Sequence, residues 1–189
     1  MDKRLESLKN WKRGMRSYVL TLYEIILETR PEFVLETGTQ RGQSTKTMLL
    51  AMKENNFGKL ISVDHKSRYE ILDYEYPDLK EYWNFIKGSS HDAKTLQVVK
   101  ETLPEGKLFD VFFIDGDHSY EGVKADFNDY YPLIKGGGLI IMHDVCNANA
   151  GVKDFWPEIK DDKFLFWWGK AQNNIIPGFG LVRKPLNNI

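Results

Sequence analysis

The chain has 189 residues, enough for one domain with a sizeable hydrophobic core. Its net charge of −1 excludes the basic footprint of a nucleic-acid binder and a polybasic membrane patch, and its single cysteine, Cys146, excludes a disulfide framework or a cysteine-based zinc site. No apolar run approaches the roughly 20 residues of a membrane span, and the N-terminus lacks the apolar core of a signal peptide, so the expected setting is the reducing cytoplasm, cytoplasmic rather than membrane-bound.

In chain order, residues 2–13 are charged and read as a surface helix. Val19, Leu22, Tyr23 and Ile26 fall at helical spacing, and Arg30-Pro31 ends that helix. Phe33, Val34 and Leu35 form an apolar strand, followed by the turn Gly38-Thr39-Gln40-Arg41-Gly42 and a helix from about Ser44 to Asn55, with Ser44 as its expected cap. A second strand runs from Leu60 to His65. Residues 66–82 are polar and aromatic, with a short helix and a loop broken at Pro77. A third strand starts at Asn84, and Asp92 caps a helix carrying Leu96, Val99 and Leu103. The run from Leu108 to Asp115 is nearly all apolar, as in a strand buried on both faces. The next helix takes Tyr120, Val123, Phe127, Tyr130 and Ile134, and the turn Lys135-Gly136-Gly137-Gly138 leads into a fifth strand, LIIMHD. FLFWW and GFGLV are the last two strand candidates.

This alternation predicts an α/β fold: an open, mostly parallel, Rossmann-like sheet with helices on both faces and an antiparallel hairpin at one edge. No linker or repeat divides the chain, so residues 1–32 supply N-terminal helices to a single domain, 33–145 its core and 146–189 its edge strands.

Ligands of open α/β sheets bind outside the carboxyl ends of the strands. Collected there are Glu36, Gly38 and Thr39 after strand one, Asp64 and His65 after strand two, and Gly88, Ser90 and His91 after strand three. Strand four brings Asp115, Asp117 and His118, and strand five His143 and Asp144. Asp92 and Ser119 read as helix caps, and Asp117 as either a loop residue or a site residue. Asp64, about 20 residues beyond the glycine turn, stands where a ribose diol is gripped in nucleoside-binding folds. Gln40 replaces the middle glycine of a pyrophosphate-binding turn, which argues against a nicotinamide oxidoreductase, and a P-loop is missing from the sequence.

The segments ETGTQRGQS, SVDH, GSSHD, IDGDHSYEGVKADF and GGGLIIMHDV, in that order, resemble the S-adenosylmethionine-dependent methyltransferases of Rossmann-like fold. The closer likeness is to the small-molecule O-methyltransferase branch that includes macrocin O-methyltransferase and cephalosporin-hydroxylase-like proteins. The resemblance implies that Glu36, Gly38, Thr39 and Ser44 hold the methionine part of S-adenosylmethionine, Asp64 its ribose, and Ser90 and His91 its adenine. His65, Gly88 and Asp115, at the same strand ends, complete the expected cofactor-binding set.

It also implies a divalent metal on Asp115, His143 and Asp144: magnesium in the related enzymes, with manganese as an alternative. His143 stands where an oxygen ligand is more common, so either it flanks the site, or the metal is softer, or there is none. His118, three residues after Asp115, matches the position of the base in related sugar O-methyltransferases. The expected reaction is methyl transfer to a small hydroxylated acceptor, a sugar or glycoside, with no nucleic-acid or membrane partner. Related enzymes often self-associate, so a homo-oligomer is part of that expectation. The competing reading is a cofactor-binding accessory protein without methyl transfer. The aromatic groups around Tyr69, Tyr74, Tyr76, Tyr82 and Trp83, and around Trp156, Phe164, Phe166, Trp167 and Trp168, read as packing or as acceptor contacts, and 147–151 as a border of the acceptor pocket.

Overall fold

A computed structural model describes residues 3–9, 18–66, 76–167 and 178–186. Helices α1 (Lys3–Lys9) and α2 (Val19–Thr29) precede β1 (Phe33–Thr37), α3 (Gln43–Asn55) and β2 (Lys59–Asp64). Then come β3 (Trp83–Lys87), α4 (Ala93–Thr102), β4 (Phe109–Ile114), α5 (Tyr120–Tyr130) and β5 (Ile134–His143). The short α6 (Val152–Phe155) leads to β6 (Asp162–Trp167) and β7 (Gly178–Arg183). The strands form one seven-stranded sheet in the order β3-β2-β1-β4-β5-β7-β6. β1 to β5 are parallel, and β7 runs antiparallel to both β5 and β6. The Rossmann-like sheet with an antiparallel edge is therefore present, with β7 inserted between β5 and β6.

Strand side chains alternate between two cores. Val34, Leu60, Val111, Phe113 and Ile141 pack with α1, α2 and α3 on one face, whereas Leu35, Ile61, Phe112, Ile114 and Ile140 pack with α4, α5 and α6 on the other. Phe112 and Phe113 are both fully buried, as a central strand covered on both faces requires. Truncating either to alanine would cost about 3–5 kcal/mol.

Several local expectations change. Leu5 and Leu8 are buried, so α1 docks on the core and is not a surface helix; the remainder of 2–13 lies outside the described residues. Ser44 does not cap α3: the N-cap is Gly42, at φ +72°, and Ser44 turns inward from the first helical turn. Ile134 belongs to β5, because Pro132 ends α5 in a tight turn over Tyr131–Leu133. Gly136 to Gly138 lie inside β5 as a bulge, where the β4 register jumps from Phe109↔Ile134 to Val111↔Leu139. A tight turn over Pro77–Tyr82 is present. Asp92 and Ser119 cap α4 and α5 as expected, each accepting a backbone N–H. Among the described residues, no helix is long and apolar enough to cross a membrane.

Candidate active site

Backbone hydrogen bonds continue past the strand ends and lock the loops together. Gly38 N–H donates to Val63 O at 2.9 Å, Asp115 N–H to Thr37 O at 2.9 Å, and Gly88 N–H to Asp64 O at 3.0 Å. Gly38, at φ +88°, lies so near β4 that a Cβ there would stand 2.2 Å from the Asp115 carbonyl oxygen. Only glycine satisfies both the left-handed backbone and that approach. Gln40 adopts φ +44° without being glycine, a conformation costing roughly 1–3 kcal/mol. Its N–H, and that of Thr39, each donate to Asp64 Oδ2 at 2.9 Å, which offsets the strain.

A cleft of about 900 Å³ opens above these loops. Gly38, Gln40 and Arg41 line it from β1, and Asp64, His65 and Lys66 from β2. Gly88, Ser90 and His91 come from the loop after β3, and Asp115, Asp117 and His118 from the loop after β4. Eight expected residues thus share one cavity: Gly38, Asp64 and His65, then Gly88, Ser90 and His91, and finally Asp115 and His118. Glu36, Thr39 and Ser44 lie beneath it, all buried. The sequence reading did not single out Gln40, Arg41 or Lys66 as cleft residues; Arg41 and Lys66 offer only exposed charge as a signal.

Glu36 sits at the centre of a buried hydroxyl network. It accepts from Ser44 Oγ at 2.5 Å, Thr45 Oγ1 at 2.7 Å and Ser62 Oγ at 2.6 Å. Burial raises its pKa to about 7, against the lowering effect of those hydrogen bonds. Its reach is therefore to the first turn of α3, which it pins under the glycine loop.

At the ends of β4 and β5 two acids and two imidazoles converge. His118 Nε2 stands 3.0 Å from Asp115 Oδ1, and its Nδ1 stands 3.2 Å from Asp144 Oδ2. His143 Nδ1 stands 2.8 Å from Asp115 Oδ1 and 3.5 Å from Asp144 Oδ1. Hydrogen bonds to Asp115 and then Asp144 raise the His118 pKa to about 10. Burial raises Asp115 to about 6, opposed by His118. Burial also works upward on Asp144, but the His118 hydrogen bond, the nearby His143 and the Asn147 amide outweigh it and bring it to about 2. Burial lowers the pKa of His143, with the Asp144 charge opposing it.

A divalent cation fits this cluster. One donor atom each from Asp115, His118 and His143 lies within 4.8 Å of the others, so His118 and not the expected Asp144 is the third converging donor. His143 Nδ1 is buried with no well-directed hydrogen bond, although a carboxylate oxygen is close. A buried imidazole nitrogen without a donor aimed at it is suited to a metal. The mixed nitrogen and oxygen set favours manganese, iron or zinc over magnesium. Asp144, at φ +61°, turns its carboxylate towards His118 and Asn147.

The cluster is closed from behind by Tyr18, 1% exposed, whose ring centroid lies 5.1 Å from that of His143 and 5.6 Å from Phe179. A lone tyrosine in a charged N-terminal stretch carries no pattern that announces such a role. The segment 147–151 folds back on the cluster, with Asn147 Nδ2 donating to Asp144 and Gly151 N–H to His118 O. Tyr76 and Tyr82 are buried away from the cleft, and Trp83 Nε1 donates to Ser62 Oγ. Trp156 packs on Gly180, while Phe164 and Phe166 are exposed. Tyr69, Tyr74, Trp168 and the Trp167 side chain fall outside the described residues.

Residues 35–145 match a family described as "Methyltransferase domain". Rhamnosyl O-methyltransferase of Mycobacterium bovis is 30% identical over 179 residues, an alignment that covers 81% of this chain and 69% of that protein. An uncharacterised protein of Acanthamoeba polyphaga mimivirus is 44% identical over 59 residues, 31% of this chain and 25% of that protein. The chain thus spans about two thirds of one curated relative and a quarter of the other. Among solved structures, the O-methyltransferase of Bacillus cereus in complex with SAH superposes with a TM-score of 0.71 at 17% identity, covering 97% of this chain and 91% of that one. TomG of Streptomyces achromogenes, in complex with SAM, gives 0.72 at 15% identity, covering 98% and 91%.

Proposed function

The chain belongs to the methyltransferase-domain family of S-adenosylmethionine-dependent enzymes, and on that premise we propose that it methylates a hydroxyl of a small acceptor, a sugar or glycoside. The observation that carries this reading is His118, held between Asp115 and Asp144 at the wall of the glycine-loop cleft. The rhamnosyl O-methyltransferase relative supports the sugar acceptor.

The cofactor occupies the cleft with its ribose at Asp64 and its adenine at Ser90 and His91. Asp64 already accepts three backbone N–H groups, from Thr39, Gln40 and Lys66. Two carboxylate oxygens with about four lone-pair sites still accept a ribose hydroxyl. The glycine loop, fastened over Glu36, holds the methionine end. The acceptor hydroxyl approaches the cofactor methyl in line. As its O–H bond breaks, the proton passes to the hydrogen-bonded pair of His118 Nε2 and Asp115 Oδ1, 3.0 Å apart. The oxygen forms the new bond to the methyl carbon, and the electron pair of the broken bond to carbon stays on sulfur, leaving S-adenosylhomocysteine. Asp115 and His143, whose donor atoms converge, would hold a divalent cation that polarises the acceptor hydroxyl and offsets the carboxylate charge around His118.

The test is His118→Ala with labelled S-adenosylmethionine and a panel of rhamnosides. Turnover should fall by about 10²–10⁴-fold, the usual worth of a general base. Calorimetric affinity for S-adenosylhomocysteine should stay within about threefold, since the residue handles a proton and not the cofactor. Full activity of the variant would remove His118 from the reaction. Failure of the wild type to bind S-adenosylhomocysteine would overturn the whole reading.

A further inference from the structure

Asp126 is the most deeply buried acid that this chemistry does not use. It lies on the inward face of α5 at 0% exposure, where the Ser90 and Thr37 hydroxyls reach its carboxylate without well-directed hydrogen bonds. A buried carboxylate costs several kcal/mol unless something compensates it, so its presence needs a physical reason. Among its neighbours that can carry charge is His91, whose Nε2 stands 3.2 Å from Asp126 Oδ1. That distance is within reach of a hydrogen bond that tightens when the ring is engaged from its other side. Gly116 covers the other oxygen so closely that a Cβ there would stand 3.1 Å from Oδ2. Asp126 therefore sits just under the cleft floor without entering it.

His91 is the link to the cleft. It lines the cavity, its side chain is 32% exposed, and the loop carrying it is braced from the same helix. The Tyr130 hydroxyl, one helical turn after Asp126, donates to Ser90 O at 2.9 Å. α5 thus holds both the backbone of this loop and one ring nitrogen of His91.

We propose that Asp126 is a positioning residue that fixes the tautomer of His91, so that the ring reads the 6-amino group of the cofactor's adenine. Burial raises the Asp126 pKa, the Ser90 and Thr37 hydroxyls and His91 oppose that rise, and the carboxylate they support requires Nε2 to carry the hydrogen. Nδ1 is then the bare nitrogen left for the cleft, and it accepts hydrogen bonds only. Adenine offers a donor at its 6-amino group. Hypoxanthine offers an oxygen there, which meets a lone pair on Nδ1. The pair therefore selects an adenine nucleoside by the direction of one hydrogen bond. This deepens the cofactor reading above and rests on the adenine lying at His91.

The experiment compares S-adenosylhomocysteine with S-inosylhomocysteine by calorimetry. The wild type should prefer the adenine ligand by about tenfold or more, the effect of an unpaired acceptor in a buried contact. Asp126→Leu keeps the branched shape and removes the acceptor, and Asp126→Ala removes both. In each the preference should fall below about threefold, while a merely structural loss would weaken both ligands alike. Long-range proton–nitrogen correlation on labelled wild type bound to S-adenosylhomocysteine reads the tautomer with no variant at all. Hydrogen on Nε2 and a bare Nδ1 are expected. Hydrogen on Nδ1, or a preference that survives in both variants, would overturn the role of Asp126. A wild type that binds both ligands equally would overturn adenine reading by His91. A wild type that binds neither would instead sink the cofactor assignment beneath it.

Discussion

Glu36 offers the sharpest quantitative test of the site's foundations. Burial raises its pKa from 4.5 to about 7. The fold therefore favours its protonated form, and the folded protein keeps a proton that the unfolded chain releases. The stability tied to that proton is fully present below the unfolded pKa of 4.5 and is lost as pH rises through 7. A shift of this size corresponds to about 3 kcal/mol. In a chain of this length that is roughly 6–12 °C of melting temperature. Glu36→Gln keeps the shape but cannot ionise, and the hydroxyls of Ser44, Thr45 and Ser62 can rotate to suit the amide. Urea unfolding of both proteins between about pH 5 and about pH 8 isolates the group together with its smaller coupling to Asp115. The variant should gain about 3 kcal/mol on the wild type across that range. Parallel pH curves for the two proteins would refute the argument, as would a wild type that gains on the variant with rising pH.

Two further outcomes follow from the same geometry. Gly38→Ala combines a left-handed backbone with a Cβ 2.2 Å from the Asp115 carbonyl, whereas Gly106→Ala has φ +75° with nothing within 4 Å. The first should cost at least about 2 kcal/mol more than the second and abolish S-adenosylhomocysteine binding; equal melting temperatures would remove the close approach from the account. Manganese or zinc at about 100 times its dissociation constant should raise the melting temperature by roughly 5–11 °C, and magnesium at the same concentration should do less. His143→Asp should reverse that order, and a magnesium effect equal to that of manganese in the wild type would show that His143 does not select the ion.

The strand ends were legible in the sequence because the sheet itself was. Apolar runs from Phe33, Leu60, Leu108 and Leu139 mark buried parallel strands, and polar residues that follow them must emerge on one edge. That reasoning alone gathers Asp64, His91, Asp115 and His118 around one cleft. What it cannot reach are contacts between elements with no shared period. Tyr18 and His143 are far apart in the chain, and so are His91 and Asp126, yet each pair meets because helices fold back over the sheet. Ile134 fits the helical spacing of α5, and only the steric effect of Pro132 on the preceding residues diverts it into β5. Ser44 has the chemistry of a cap, but the buried Glu36 competes for its hydroxyl and wins, since an unpaired carboxylate there would cost more than an exposed N–H.

Asp115 ties these observations together. Its backbone N–H donates to Thr37 O, its carbonyl oxygen abuts Gly38, and its side chain touches both His118 and His143. The residue that fixes the height of the glycine loop is thus the one that fixes the two imidazoles. Methyl transfer needs the sulfonium carbon and the acceptor oxygen about 3–3.5 Å apart and in line. If the loop and the cluster were carried on separate elements, each would move independently and that distance would wander. Here a single residue belongs to both, so displacing the loop displaces His118 as well. The rigidity that methyl transfer demands is built into the junction of β1 and β4.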